Sequence, residues 1–188
     1  MAKIVIGLGS GRCGTMSLAG LLNKQPCSMV THENLTMPWN RNPDIHELRF
    51  KSLLSRDADL TGDVGYYWII YVEDLLEVRS DTKFICLKRD REEVIESMWN
   101  HCRGLNVHPT DDWFMVYPRY NTDRKTAVGL MWDEYCKLSE FFQSKYPDSF
   151  RIFGMDLLNS EDGQREILSF AGIENPTLQV GIRLNAYK

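Results

Sequence analysis

A short apolar run that leads directly into four closely spaced glycines constrains the fold of this chain more than any other feature. The run Ile4-Val5-Ile6 precedes Gly7-Leu8-Gly9-Ser10-Gly11-Arg12-Cys13-Gly14, and an amphipathic helical pattern begins at Thr15. Strand–loop–helix units of this kind are typical of phosphate sites, because glycines let the backbone approach an anion and the helix N-terminus offers N–H groups. The sequence therefore predicts an anion site at the start of the first helix.

The loop differs from the common nucleotide-binding loop Gly-x4-Gly-Lys-Ser/Thr. Gly9 and Gly14 have the required spacing, but Thr15 stands where the lysine belongs and Met16 where the Mg²⁺-binding hydroxyl belongs. The basic residue lies inside the loop, at Arg12. We therefore expect this loop to hold phosphate without the usual lysine and without a metal ion.

The rest of the chain alternates predicted strands with predicted helices. We expect strands over 3–8, 27–31, 61–65, 82–87 and 150–153, and helices over 15–24, 44–55, 67–78, 91–102, 126–146 and 161–171. The segment 104–121 is aromatic-rich and irregular. The alternation predicts a single α/β domain over residues 1–188, with three layers and a central parallel sheet of about four to five strands flanked by helices.

Composition argues against two classes of protein, general nucleic-acid binders and membrane-spanning proteins. The 188 residues carry a net charge of −4, which argues against a general nucleic-acid binder. No apolar run approaches the length of a membrane span. The five cysteines form no CxxC pair, and strand-like residues begin at Lys3, with no signal peptide before them. We expect a soluble cytoplasmic protein.

A second element follows the predicted strand 82–87. Arg89 comes directly after that strand, and Ser97 lies eight positions further on, two turns into the next helix. A guanidinium and a hydroxyl placed in this way can hold one phosphate from two sides. The alternative is a solvated, charged helix start in which Glu92 and Glu93 favour the helix dipole.

These two elements together resemble the sulfotransferases that use 3′-phosphoadenosine 5′-phosphosulfate (PAPS). Arg12-Cys13-Gly14-Thr15-Met16 is similar to their first loop, Lys/Arg-Ser-Gly-Thr-Thr, and Arg89 with Ser97 matches their 3′-phosphate site. Gly62-Asp63-Val64-Gly65-Tyr66-Tyr67 and Phe153-Gly154-Met155-Asp156-Leu157-Leu158 resemble two further family segments. The resemblance extends from Ile4 to about Gly172.

The resemblance implies a P-loop type of fold, in its sulfotransferase form, and metal-free transfer of a sulfuryl group from PAPS. The acceptor would be the hydroxyl or amine of a small molecule or glycan, and 3′-phosphoadenosine 5′-phosphate (PAP) would be the product. Arg12 would stabilise the leaving oxygen. The nucleotide would be held by Gly11, Arg12, Cys13, Gly14, Thr15, Met16, Arg89 and Ser97.

The acceptor must also lose a proton to a nearby base. Glu33 is our first choice, because carboxylate-using family members carry a Glu after the first helix and second strand. His32 is the competitor, and Asp63 is a third candidate. If the second strand stays extended, His32 and Glu33 point to opposite faces, so that only one of them enters the pocket.

Three departures from the family pattern concern the donor site. Val64 stands where many members have a lysine near the sulfate, and Met16 where they have a second hydroxyl. The family's C-terminal Arg-Lys-Gly segment is missing, with Arg183 as a substitute. These departures leave open weaker PAPS binding, a changed donor, or a relative that binds nucleotide without catalysis.

Two other readings stay open at this point. Gly9-x-Gly11-x-x-Gly14 is also the fingerprint of an NAD(P)-binding Rossmann protein, with Glu33 at the distance of a ribose-binding acid. That hypothesis leaves Arg89 and Ser97 unexplained. A nucleotide kinase is less well supported, because its lysine and Mg²⁺-binding hydroxyl are missing.

Overall fold

A five-stranded, wholly parallel sheet forms the centre of the structure, a computed structural model that describes residues 2–35, 37–38, 41–103 and 120–181. The strand order is β2-β3-β1-β4-β5. The strands are β1 (Lys3–Leu8), β2 (Ser28–His32), β3 (Leu60–Val64), β4 (Lys83–Lys88) and β5 (Phe150–Gly154). The predicted parallel α/β fold is confirmed, and each strand lies within about two residues of its expected position.

Six helices cover this sheet within the described residues. They are α1 (Thr15–Asn23), α2 (Pro43–Leu54), α3 (Val72–Val78), α4 (Arg91–Arg103), α5 (Arg124–Lys145) and α6 (Glu161–Phe170). Helix α2 is capped by the Asn42 side chain, which accepts the amides of Asp44 and Ile45. The predicted irregular segment 104–121 lies outside the described residues, apart from its last two positions.

One predicted helix was wrong in part. The expected helix over 67–78 begins instead as a 3-10 helix, Tyr66–Tyr71, and only Val72–Val78 is α-helical. The amide of Trp68 bonds to Gly65 O, three residues back. This run consists of aromatic and β-branched residues, which lose side-chain freedom in an α-helix, and all but Ile70 are buried. Met155–Asn159 forms a second 3-10 helix.

The alternation of side chains along β1 divides the core into two clusters. Val5 packs on the face covered by α1 and α6, with Leu18, Leu21, Leu22, Ile167 and Leu168. Ile4 and Ile6 pack on the opposite face against the 3-10 run and α5, with Trp68, Tyr71, Met131, Tyr135 and Phe142. The two buried faces give the three-layer architecture that a parallel sheet requires.

The strand order also decides against the dinucleotide-binding alternative. In that fold β1 and β2 are neighbours. Here β3 lies between them, pairing with β1 on one side and with β2 on the other. Glu33 therefore follows an edge strand rather than the strand beside the glycine loop, where the ribose-binding acid would belong. Within the described residues, no helix is long and apolar enough to cross a membrane.

Candidate active site

The glycine loop lies at the carboxyl end of β1, between two neighbouring strands of the sheet. Gly11 has φ 90°, Arg12 φ 55° and Gly14 φ 81°, so the loop turns through left-handed conformations that glycine adopts without strain. Gly14 caps α1 without a side-chain hydrogen bond, and the first turn of α1 carries no acidic residue. The positive end of this helix dipole therefore keeps its attraction for an anion.

The side chains of Ser10 and Cys13 point into the protein rather than toward a ligand. Cys13 is buried; its thiol donates to Gly11 O at 3.1 Å and lies 3.4 Å from the Ser10 hydroxyl. Burial raises the pKa of the Cys13 thiol. Cys13 thus offers a ligand its backbone only, whereas Met16, at 36% exposure, faces outward.

Arg12 turns its side chain toward helix α4. Its Nε donates to Ser97 Oγ at 3.1 Å. Burial, and secondarily the Arg12 charge, lower the pKa of His101, which lies one turn beyond Ser97. The Arg12 guanidinium therefore lies along the Ser97–His101 face of α4.

Arg89 joins the same group from the end of β4. Its Nη1 donates to Arg12 O at 3.1 Å, and its Nε donates to Glu93 at 2.8 Å, an (i, i+4) ion pair. Trp132 of α5 fixes the backbone at this point, donating from Nε1 to Arg89 O at 3.2 Å. The structure thus brings together Arg12, Arg89 and Ser97, which the sequence placed in two separate motifs.

His32 and Glu33 lie on the other side of the loop. His32 Nε2 is 3.1 Å from Thr15 Oγ1, the first hydroxyl of α1. Glu33 does not continue the strand: its φ is 51°, while its amide still donates to Val64 O at 2.9 Å. The condition of an extended backbone is therefore not met at Glu33, so simple strand alternation does not decide which of the two side chains enters the site.

The surroundings of Glu33 perturb its acidity. Its side chain keeps access to solvent, yet the protein around it desolvates the carboxyl and raises its pKa above the ordinary 4.5. Asp63 raises that pKa further, while His32 acts in the opposite direction. A carboxylate with a raised pKa is a stronger base at neutral pH.

Asp63, the third candidate base, has a different role. It is fully buried, and its carboxylate accepts hydrogen bonds from the hydroxyls of Thr31 and Tyr67, the indole of Trp68 and the amide of Asn34. With both oxygens occupied and no exposure, Asp63 cannot reach an acceptor. Its candidacy as the base was wrong, and its place is in the framework behind Glu33.

The family model described as "Sulfotransferase domain" matches residues 4–153, a range that contains the glycine loop, His32, Glu33, Arg89 and Ser97. The chain belongs to the sulfotransferase domain family. The predicted resemblance is therefore confirmed.

A sulfotransferase from Alicyclobacillus acidocaldarius has a similar crystal structure. It matches with a TM-score of 0.64 at 14% identity, covering 98% of this chain and 87% of that one. At this identity the likeness shows the fold. No curated protein matches the sequence significantly.

The sulfotransferase domain departs from the family pattern at Val64 in a way that the structure explains. Val64 is fully buried, and its two methyl carbons lie 2.7 Å from the position that a Cβ on Gly7 would occupy. The Val64 side chain faces the core under α1, together with Leu18. Arg183, the expected substitute cation, lies outside the described residues.

One buried contact of this sulfotransferase domain could not be found from the sequence. Tyr135 of α5 accepts the amide of Gly9 at 3.1 Å and donates to Tyr66 O at 3.1 Å, so that one hydroxyl holds the start of the glycine loop. Tyr135 is 126 residues from Gly9 and lies in an ordinary amphipathic helix. Only the register of α5 against the sheet makes the contact, and no local signal predicts it.

Among the described residues, no group of three or more His, Cys, Asp or Glu side chains could hold a metal ion. Metal-free chemistry stays a prediction.

Proposed function

We propose that this chain transfers a sulfuryl group from PAPS to a hydroxyl or amine of a small-molecule or glycan acceptor. The observation that carries the proposal is the contact between the two motifs: Arg12 bonds to Ser97 while Arg89 bonds to the Arg12 carbonyl. We place the nucleotide cleft beside these two guanidiniums, the Ser97 hydroxyl and the uncapped N-terminus of α1. That donor set suits a ligand with more than one phosphate.

The nucleotide would lie along this cleft. The backbone from Gly11 to Met16 and the Thr15 hydroxyl would hold the 5′-phosphosulfate, because they form the start of α1. Arg89 and Ser97 would hold the 3′-phosphate. The interior orientation of Cys13 supports this arrangement, since it leaves the loop amides as the contacting groups.

PAPS would supply the sulfuryl group, whose S–O bond to the nucleotide breaks as a new S–O bond to a hydroxyl acceptor, or S–N bond to an amine, forms. Arg12 would stabilise the negative charge that develops on the departing oxygen, since a fixed cation inside a water-poor site is most effective there. Holding the donor and the acceptor in line would supply most of the remaining rate enhancement, as in phosphoryl transfer.

Glu33 would take the proton from the acceptor. Its raised pKa and its solvent access at the edge of the cleft both favour this role. His32 would act through Thr15, to which one of its ring nitrogens is already hydrogen-bonded. We also propose a reducing, cytoplasmic setting, because Cys13, Cys27, Cys86 and Cys136 are all free thiols.

Two measurements test this function. Isothermal titration calorimetry should show that PAP binds more tightly than 5′-AMP, by the contribution of the 3′-phosphate, and that NADPH does not compete with PAP. Incubation with PAPS and a panel of phenolic and glycan acceptors should release PAP. PAP binding without release for any acceptor would favour the non-catalytic relative, and PAP binding no tighter than that of 5′-AMP would contradict the donor assignment.

A further inference from the structure

The turn that carries the proposed base is bent in an unusual way. Strand β2 ends at His32, and the next residue, Glu33, adopts a left-handed backbone conformation that disfavours residues with a Cβ. The Glu33 amide nevertheless continues the parallel hydrogen-bond pattern between β2 and β3, because it donates to Val64 O. Something beyond the strand pairing must hold the turn in this form.

The carboxylate of Asp63 spans this turn. Its Oδ1 accepts the Thr31 hydroxyl at 2.6 Å and the Asn34 amide at 3.3 Å, so that one atom is bonded on both sides of His32 and Glu33. Its Oδ2 accepts the Tyr67 hydroxyl and the Trp68 indole, each at 2.9 Å. One oxygen therefore anchors the carboxylate in the core while the other closes the turn.

We propose that Asp63 is a positioning residue, whose carboxylate holds the His32–Glu33 turn so that Glu33 stays at the cleft edge while His32 reaches Thr15. The proposal rests on the proposed role of Glu33 as the base. The bond from Asp63 to the Asn34 amide fixes the backbone immediately after Glu33, and the bond to Thr31 fixes it before His32. The His32 side chain then reaches Thr15, the first residue of α1.

Charge supports the same arrangement. The Arg56 guanidinium donates to Thr31 Oγ1 at 3.2 Å and to the carbonyls of Met29 and Gly62, so that a cation stands behind the hydroxyl that binds Asp63. Among the described residues, His32 beside Glu33 and Asp63 on the neighbouring strand act on its carboxyl, and Arg56 lies beyond Thr31. Asp63, as the nearer carboxylate, adds to the raised pKa of Glu33.

The test uses the unliganded full-length protein and two NMR readouts. In Asp63→Asn we expect the Asn34 amide to exchange with solvent roughly tenfold faster, since it loses a hydrogen bond to a charged group. We also expect the Glu33 carboxyl, followed by its carbon-13 shift, to titrate at lower pH than in the parent protein. Because Asp63→Asn also removes a charge that raises the pKa of Glu33, the positional effect is measured in Thr31→Val, which removes no charge. A carboxylate that does not position the turn would leave the Glu33 titration unchanged in that variant.

Tyr67→Phe is the matched control, because it removes a donor to Oδ2 and keeps both bonds of Oδ1. It should reduce stability and leave the Asn34 exchange rate unchanged. If Asp63→Asn does not fold, Thr31→Val removes one bond of Oδ1, together with the Arg56 contact to the same hydroxyl, and should still speed exchange at Asn34.

Unchanged Asn34 exchange or an unchanged Glu33 titration in Thr31→Val would overturn the inference. Both readouts are independent of nucleotide and acceptor. Failure of the protein to bind PAP would therefore refute the proposed function without altering them.

Discussion

Arg12 and Ser97 are 85 residues apart in sequence, and the side chain of one donates to the hydroxyl of the other at 3.1 Å. This bond joins the glycine loop to helix α4. Arg89, at the end of β4, donates to the Arg12 carbonyl. A phosphate that replaces these contacts would exchange neutral acceptors of the two guanidiniums for a charged one, which can accept two parallel hydrogen bonds from an arginine.

Replacement of Arg89 by alanine should weaken PAP binding by ~1.5–3 kcal/mol, the scale of a hydrogen bond to a charged group. Calorimetric titration measures the change. Lys88→Ala is the control, since Lys88 pairs with Glu140 on a different helix and should leave the PAP affinity unchanged. Equal affinities for all three proteins would remove Arg89 from the nucleotide site.

Glu93 competes with the proposed phosphate for Arg89, because its carboxylate holds the Arg89 Nε at 2.8 Å. Glu93→Gln should therefore tighten PAP binding by ~0.2–1 kcal/mol, the usual range of an exposed ion pair. Glu92→Gln is matched in charge and helix position but pairs with Arg91 instead. A smaller gain in Glu93→Gln than in Glu92→Gln would show that the local pairing is irrelevant.

Arg12→Ala should lower the rate of sulfuryl transfer by ~100-fold, as expected for the loss of a charge-stabilising donor. PAP affinity should fall much less, because Arg89, Ser97 and the loop amides remain. Arg12→Lys should retain more activity than the alanine variant, since it keeps the positive charge. Turnover with PAPS gives the first quantity and calorimetry the second; full turnover in Arg12→Ala would refute the assigned role.

Tyr135→Phe removes the hydroxyl that holds Gly9 and leaves a buried amide and the Tyr66 carbonyl without this partner. We expect a loss of ~1–3 kcal/mol in unfolding free energy, together with weaker PAP binding. Tyr71→Phe removes a hydroxyl bond of similar burial, to Pro38 O, away from the loop. Denaturant unfolding should show comparable losses for the two variants, and only Tyr135→Phe should bind PAP less tightly.

Glu33→Gln should abolish transfer and also stabilise the protein at neutral pH. The folded-state pKa of Glu33 is raised, so the folded protein holds this proton more tightly than the unfolded chain does, and ionisation at pH 7 costs the folded state. Below the ordinary pKa of 4.5 both states are protonated and the advantage of glutamine should vanish. Thermal unfolding at pH 7 and near pH 4 checks the sign; a stabilisation that grows on acidification would contradict it.

The strands and helices were largely predictable because burial on both faces imposes continuous apolar runs on parallel strands, and β1 and β4 show this plainly. The 3-10 geometry of Tyr66–Tyr71 was not, since its apolar pattern also fits a buried helix.

The relative position of candidate site residues could be predicted where those residues directly follow a strand. Arg89 after β4 and the loop after β1 must share an edge of the sheet, and they do. Glu33 shows the limit of this reasoning: the period of a strand assumes an extended backbone, and the bond from Asn34 to Asp63 bends it. Contacts between distant elements, such as Tyr135 with Gly9, leave no trace in local sequence.

A crystal structure of the protein soaked with PAP tests the central claim most directly. We expect the 3′-phosphate of PAP to lie within hydrogen-bond distance of Arg89 and Ser97, and its 5′-phosphate to accept the amides between Gly11 and Met16. A nucleotide bound with its 3′-phosphate away from Arg89 and Ser97, or bound outside this cleft, would contradict it.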